Sequence, residues 1–113
     1  MNGTSVEQRK ARRFDLKLPF ELLRNGSEAL SERGETRNVS SVGVLFQSDA
    51  SLRIGDAVEY MITLPASAGE ADGVRLRCLG KVVRYGKTAE IAATLERYEF
   101  VRLAQTHVSR ATL

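Results

Sequence analysis

The sequence is poor in the residues from which reactive or cross-linked sites are built. It holds one cysteine, Cys78, so no intrachain disulfide can form, and a reducing, cytoplasmic compartment is the expected home. Its one histidine, His107, has no metal-ligand spacing around it, so no metal site is expected. Cys78 falls on the apolar face of an alternating segment with no second thiol or base nearby, which reads as an inert core thiol. There is no Gly-x-Ser-x-Gly, no Ser-x-x-Lys, no phosphate-binding loop and no Gly-x-Gly-x-x-Gly. Catalytic and cofactor chemistry are therefore disfavoured, and a non-enzymatic domain is expected. No apolar stretch approaches the ~18 residues of a membrane span. The opening MNGTSVEQRKARR has no apolar run after its charges, so no secretory signal is expected. Without secretion, the glycosylation patterns at Asn2 and Asn38 are chance matches. Tryptophan is absent and only seven aromatic residues occur, most of them at core-like alternating positions, so no stacking platform for bases is evident.

What is present is a single domain's worth of chain, 113 residues, with unevenly placed charge. Residues 1–24 hold six Lys/Arg against three acids, residues 25–74 three against eight, and residues 75–113 eight against three. If the two ends meet in space they form one anion-attracting face. Four of the five residues in Arg9-Lys10-Ala11-Arg12-Arg13 are basic. Like charges that close repel unless an anion offsets them.

Hydrophobic periodicity divides the chain. Residues 1–12 are polar and aperiodic, a flexible N-terminal arm; residues 13–113 form the folded domain. Phe14, Leu16, Leu18, Phe20 and Leu22 alternate with polar residues, which predicts a strand with one buried face and Pro19 at an edge or bulge. Asn25-Gly26 marks a turn, residues 28–39 an exposed strand, and residues 38–43 a turn-rich hinge. Val44 to Phe46 and Val58 to Leu64 are further strands, and Pro65 to Gly73 a loop. The strand from Val74 to Tyr85 blurs its phase at Leu79-Gly80, where a bulge is expected. After Gly86-Lys87, residues 89–95 form the last alternating face. Residues 98–111 lie near helical spacing and predict an amphipathic C-terminal helix with His107 on it. The pattern is all-β: a small antiparallel barrel or sandwich closed by a terminal helix.

Two short elements carry chemistry, Arg9-x-x-x-Arg13 and Asn38-x-Ser40-x-x-Gly43. Arginine offers five donors in a fixed fork that can hold a phosphate, grip the O6/N7 edge of guanine, or stack on a base. Asn38 and Ser40 both donate and accept. Gly43 permits close backbone approach. Both motifs, in this order and around this strand pattern, resemble the PilZ domain family. Leu18-Pro19-Phe20 after the arginines and Gly80-Lys81-Val82-Val83-Arg84 near the penultimate strand resemble it too. The resemblance implies a six-stranded antiparallel PilZ-type β-barrel with a C-terminal α-helix, and a receptor or adaptor for the bacterial second messenger cyclic di-GMP. By that resemblance Arg9 and Arg13 clasp guanine edges and phosphates, Asn38 and Ser40 hydrogen-bond the ligand from the barrel surface, and Gly43 clears the floor. Arg12 and Arg84 are secondary candidates, and Lys10 reads as solvated charge. The last strand, Ala89 to Leu95, lacks the glycine and aromatic often found there in the family. No cofactor is implied beyond the ligand. The implied partner is a downstream protein that reads a ligand-ordered arm, and a chain opening on Met1 with one domain reads as a stand-alone adaptor. The rival readings are a basic-armed nucleic-acid-binding barrel, suggested by the pI near 9.4, and a PilZ-like protein-interaction module without ligand.

Overall fold

The structure, a computed structural model, describes residues 12–65 and 74–102. Seven strands follow in order: β1 (Pro19–Asn25), β2 (Glu28–Val39), β3 (Gly43–Gln47), β4 (Ala57–Leu64), β5 (Val74–Tyr85), β6 (Glu90–Thr94) and β7 (Arg97–Arg102). All pairings are antiparallel. The sheet runs β4-β1-β2-β3-β6-β5, and β5 pairs again with β4, so six strands close into a barrel. Closure is possible because β5 is long. Its first two thirds, residues 74–81, pair with β4, and its last third, residues 82–85, pairs with β6.

Alternation places one face of each strand inside. Phe20 of β1, Phe46 of β3 and Tyr60 of β4 stack at the centre, with ring centroids 4.0 Å (Phe20–Phe46) and 5.3 Å (Phe20–Tyr60) apart. Leu22, Ile62, Val82 and Ile91 complete the core with Cys78, which is fully buried as its alternation implied. The Tyr60 hydroxyl donates to the Thr94 carbonyl across the barrel at 2.9 Å. Burial pushes the Tyr60 phenol well above its ordinary value, and it pushes the Cys78 thiol up to about 12.

Gly80 sits where β5 passes β6 most closely. A Cβ there would lie 1.8 Å from the Thr94 carbonyl oxygen, so only glycine fits. The irregularity of β5 is not at Leu79-Gly80, where register with β4 is continuous, but between Val82 and Arg84 against β6. The blurred phase of the sequence reflects Leu79 standing exposed beside a close-packed glycine.

The C-terminal helix is not present over residues 98–102. These form β7, which pairs with the first half of β5 outside the closed barrel, with Tyr98 opposite Cys78 and Phe100 opposite Leu76. The helical spacing was a local pattern, and the free edge of β5 overrides it by taking up the backbone donors and acceptors of β7. The remainder of that expected helix, His107 included, lies outside the described residues. The aromatics also differ from expectation: Phe14, Tyr85, Tyr98 and Phe100 are exposed. Tyr98 and Phe100 meet edge to face at 5.9 Å on β7. No described helix is long and apolar enough to cross a membrane.

Candidate functional site

Past Glu35, β2 no longer has β1 beside it, and the extended segment 12–18 takes that place. Thr36 N–H donates to the Leu18 carbonyl at 2.9 Å, and Phe14 and Val39 form an isolated antiparallel bridge. The alternation of the sequence continues through this segment, but the core reaches only Leu18, so Phe14 and Leu16 stand exposed and residues 14–18 do not form a regular strand. Pro19 is the first residue of β1, where a missing N–H is tolerated.

This route brings Arg12 and Arg13 to the β2–β3 turn. Arg12 and Arg13 line a groove of about 560 Å³ together with Asn38, Ser40, Gly43 and Arg84. Its apolar wall includes Val42, Leu45, Val83 and Ala92. Arg9 lies outside the described residues. Each element has a local cause. A bulge on β2 between Thr36 and Asn38 takes Arg37 out of register with β3, and its Nη2 donates to Gln47 Oε1 at 2.6 Å, away from the groove lining. Asn38 is thereby left half-buried at the groove, with no side-chain hydrogen bond among the described residues. The bulge on β5 between Val82 and Arg84 leaves Val83 and Arg84 both exposed and both lining the groove.

Ser40 and Gly43 have structural duties as well. The Ser40 hydroxyl accepts from the N–H groups of Val42 and Gly43, both at 3.2 Å, and so shapes the turn that carries the motif. A Cβ at Gly43 would lie 2.9 Å from the Ala93 carbonyl oxygen, so glycine lets β3 start against β6.

The electrostatics of the groove are one-sided. Arg12, Arg13 and Arg84 are exposed and make no ion pair among the described residues. No Asp or Glu is among the described lining residues. Elsewhere, Arg24 and Arg77 both reach Glu59, Arg24 at 3.6 Å, Arg77 also lies 3.8 Å from Glu99, and Arg37 lies 4.0 Å from Glu90, while Arg33, Arg53, Arg75 and Arg97 make no ion pair among the described residues. Three uncommitted guanidinium groups around one concavity favour an anion. Sequence reading missed the apolar wall. Val42 hides in a variable position of its motif, and Val83 faces the groove only because of a bulge.

A closed barrel with an open arginine groove, free of carboxylates among its described lining residues, defines a small ligand-binding module. The chain belongs to the PilZ family: the PilZ domain model matches residues 7–111. PilZ domains are cyclic di-GMP-binding modules, ligand-binding and adaptor domains rather than enzymes. No curated protein and no solved structure matches the chain.

Proposed function

We propose that this chain is a cyclic di-GMP receptor that signals through its N-terminal arm. The observation that carries the reading is the groove itself, which Arg12, Arg13 and Arg84 line together with Asn38, with no ion pair to these arginines and no carboxylate lining the groove among the described residues. Arg9 and Arg13 clasp guanine edges and phosphates. Asn38 and Ser40 bind from the β2–β3 turn, with Gly43 holding that turn against β6. Arg12 and Arg84 add positive charge, and Val42 and Val83 offer apolar contact to a purine face. Family membership supports the ligand class.

Ligand binding orders the residues that precede Phe14. Fixing each backbone costs roughly 1–2 kcal/mol, so several charge-assisted contacts are needed to offset it. The ordered arm then offers a new surface to a downstream protein. Amide exchange of residues 5–13 with and without cyclic di-GMP tests the ordering: protection rises on binding, and equal protection in both states refutes it.

The ligand is tested by titrating the protein with cyclic di-GMP and with single-stranded RNA at several salt concentrations. The reading expects saturable cyclic di-GMP binding and only weak, steeply salt-dependent RNA binding. Tight RNA binding without cyclic di-GMP binding turns the groove into a nucleic-acid surface. Binding of neither leaves a protein-interaction module.

A further inference from the structure

We infer that Thr36, which lines no part of the groove, is the positioning residue that holds the two halves of the binding site together. The inference rests on the cyclic di-GMP reading of that groove. Between Pro19, paired with Glu35, and Phe14, paired with Val39, the segment that joins the arm to β1 runs five residues while β2 runs four. A regular ladder cannot span that mismatch, and it would leave arm backbone groups without partners.

The Thr36 side chain fills the gap. Its hydroxyl accepts from the Leu18 N–H at 2.8 Å and donates to the Leu16 carbonyl at 2.5 Å, while its own N–H donates to the Leu18 carbonyl at 2.9 Å. Thr36 is fully buried, and Leu18 is only 9% exposed. One hydroxyl thus serves as donor and acceptor to two peptides of the segment before β1, in a place water does not readily replace it. The consequence reaches the groove from both sides. Asn38 is two residues beyond Thr36 on β2, and Arg13 adjoins Phe14 on the arm. When the arm leaves β2, the fraction of molecules with Arg13 beside Asn38 falls, and apparent affinity falls by that fraction. The anchor also sets the hinge: residues 14–18 are docked before ligand arrives, and ligand-driven ordering begins upstream of Phe14.

The test compares wild type with Thr36→Val, which keeps the shape and β-branching but removes the hydroxyl, and with Thr36→Ser, which restores it. Thr36→Ala replaces the valine variant if that does not fold. The control is Val58→Ala, a core substitution on β4 away from the groove. Thr36→Val is expected to weaken cyclic di-GMP binding about tenfold and to speed amide exchange at Phe14 and Leu18 without ligand. Thr36→Ser is expected to bind within about twofold of wild type. Val58→Ala is expected to lower the melting temperature and leave affinity unchanged. Equal affinity losses in Thr36→Val and Val58→Ala, or unchanged exchange at Phe14 and Leu18, overturn the inference. Failure of the wild type to bind cyclic di-GMP overturns the function proposed above, and the exchange measurement then decides the anchor alone.

Discussion

Phe14 and Val39 exchange two backbone hydrogen bonds, each 2.9 Å long. Arg13 precedes Phe14 and Ser40 follows Val39, so the antiparallel course of the two segments carries the arginine motif toward the Asn-x-Ser-x-x-Gly turn. Residues separated by more than twenty positions in sequence become neighbours on one groove through this bridge and the Thr36 bonds beside it.

Arg84 provides the first check on the groove. Replacing it with alanine removes one charge from the lining and is expected to weaken cyclic di-GMP binding by ~1.5–3 kcal/mol, the range for a hydrogen bond to a charged group. Lys81→Ala, an exposed cation on the same strand that does not line the groove, is expected to bind as wild type. Calorimetry on the pair checks this, and equal affinities in both variants remove Arg84 from the site.

Barrel closure depends on a close approach at Gly80. Gly80→Ala would drive a Cβ into the Thr94 carbonyl, which is backbone and cannot swing aside. It is expected to destabilise the domain by at least ~3 kcal/mol, the upper end for overpacking. Gly43→Ala, with a milder 2.9 Å approach to the Ala93 carbonyl oxygen, is expected to cost about 1 kcal/mol. Urea unfolding of both variants gives the order, and the reverse order contradicts the account.

The β5–β6 turn offers a gain in stability. Ala89 has a positive φ of 57°, a conformation that disfavours any residue with a Cβ. Ala89→Gly is expected to stabilise the protein by ~0.5–1 kcal/mol, raising the melting temperature by a few degrees. A lower melting temperature in scanning calorimetry contradicts this.

Alkaline pH is expected to weaken the fold. The Cys78 thiol is raised from 9.0 to about 12 by burial, and the Tyr60 phenol is raised as well. Above pH ~9 the unfolded chain loses protons that the native state keeps, so native stability falls as pH rises from 9 toward 12. Below pH 9 these two groups contribute no slope. Urea midpoints between pH 7 and 11 check it, and Cys78→Ala is expected to flatten the lower part of the decline.

Several elements were legible because their cause is local. Val58, Tyr60 and Ile62 alternate strictly, and each lies in the core. The arginine and asparagine motifs were legible because arginine clusters and turn residues carry their chemistry in their identity. Other features have causes far away in sequence. The segment Tyr98 to Arg102 fits a helix period, and only the open edge of β5, about twenty residues earlier, makes it a strand. Val83 faces the groove because β5 slips by one residue against β6, and a register shift exists only relative to a partner strand. Thr36 looks like one more polar residue in an exposed strand, since its two hydroxyl partners are 18 and 20 residues away.

Isothermal titration of cyclic di-GMP into wild type and Arg13→Ala, with melting curves of both unliganded proteins, addresses the central claim most directly. Arg13 is exposed and makes no described ion pair, so its loss is expected to leave the melting temperature unchanged while weakening binding tenfold or more. Wild-type affinity in Arg13→Ala, or no binding by the wild type, would contradict it.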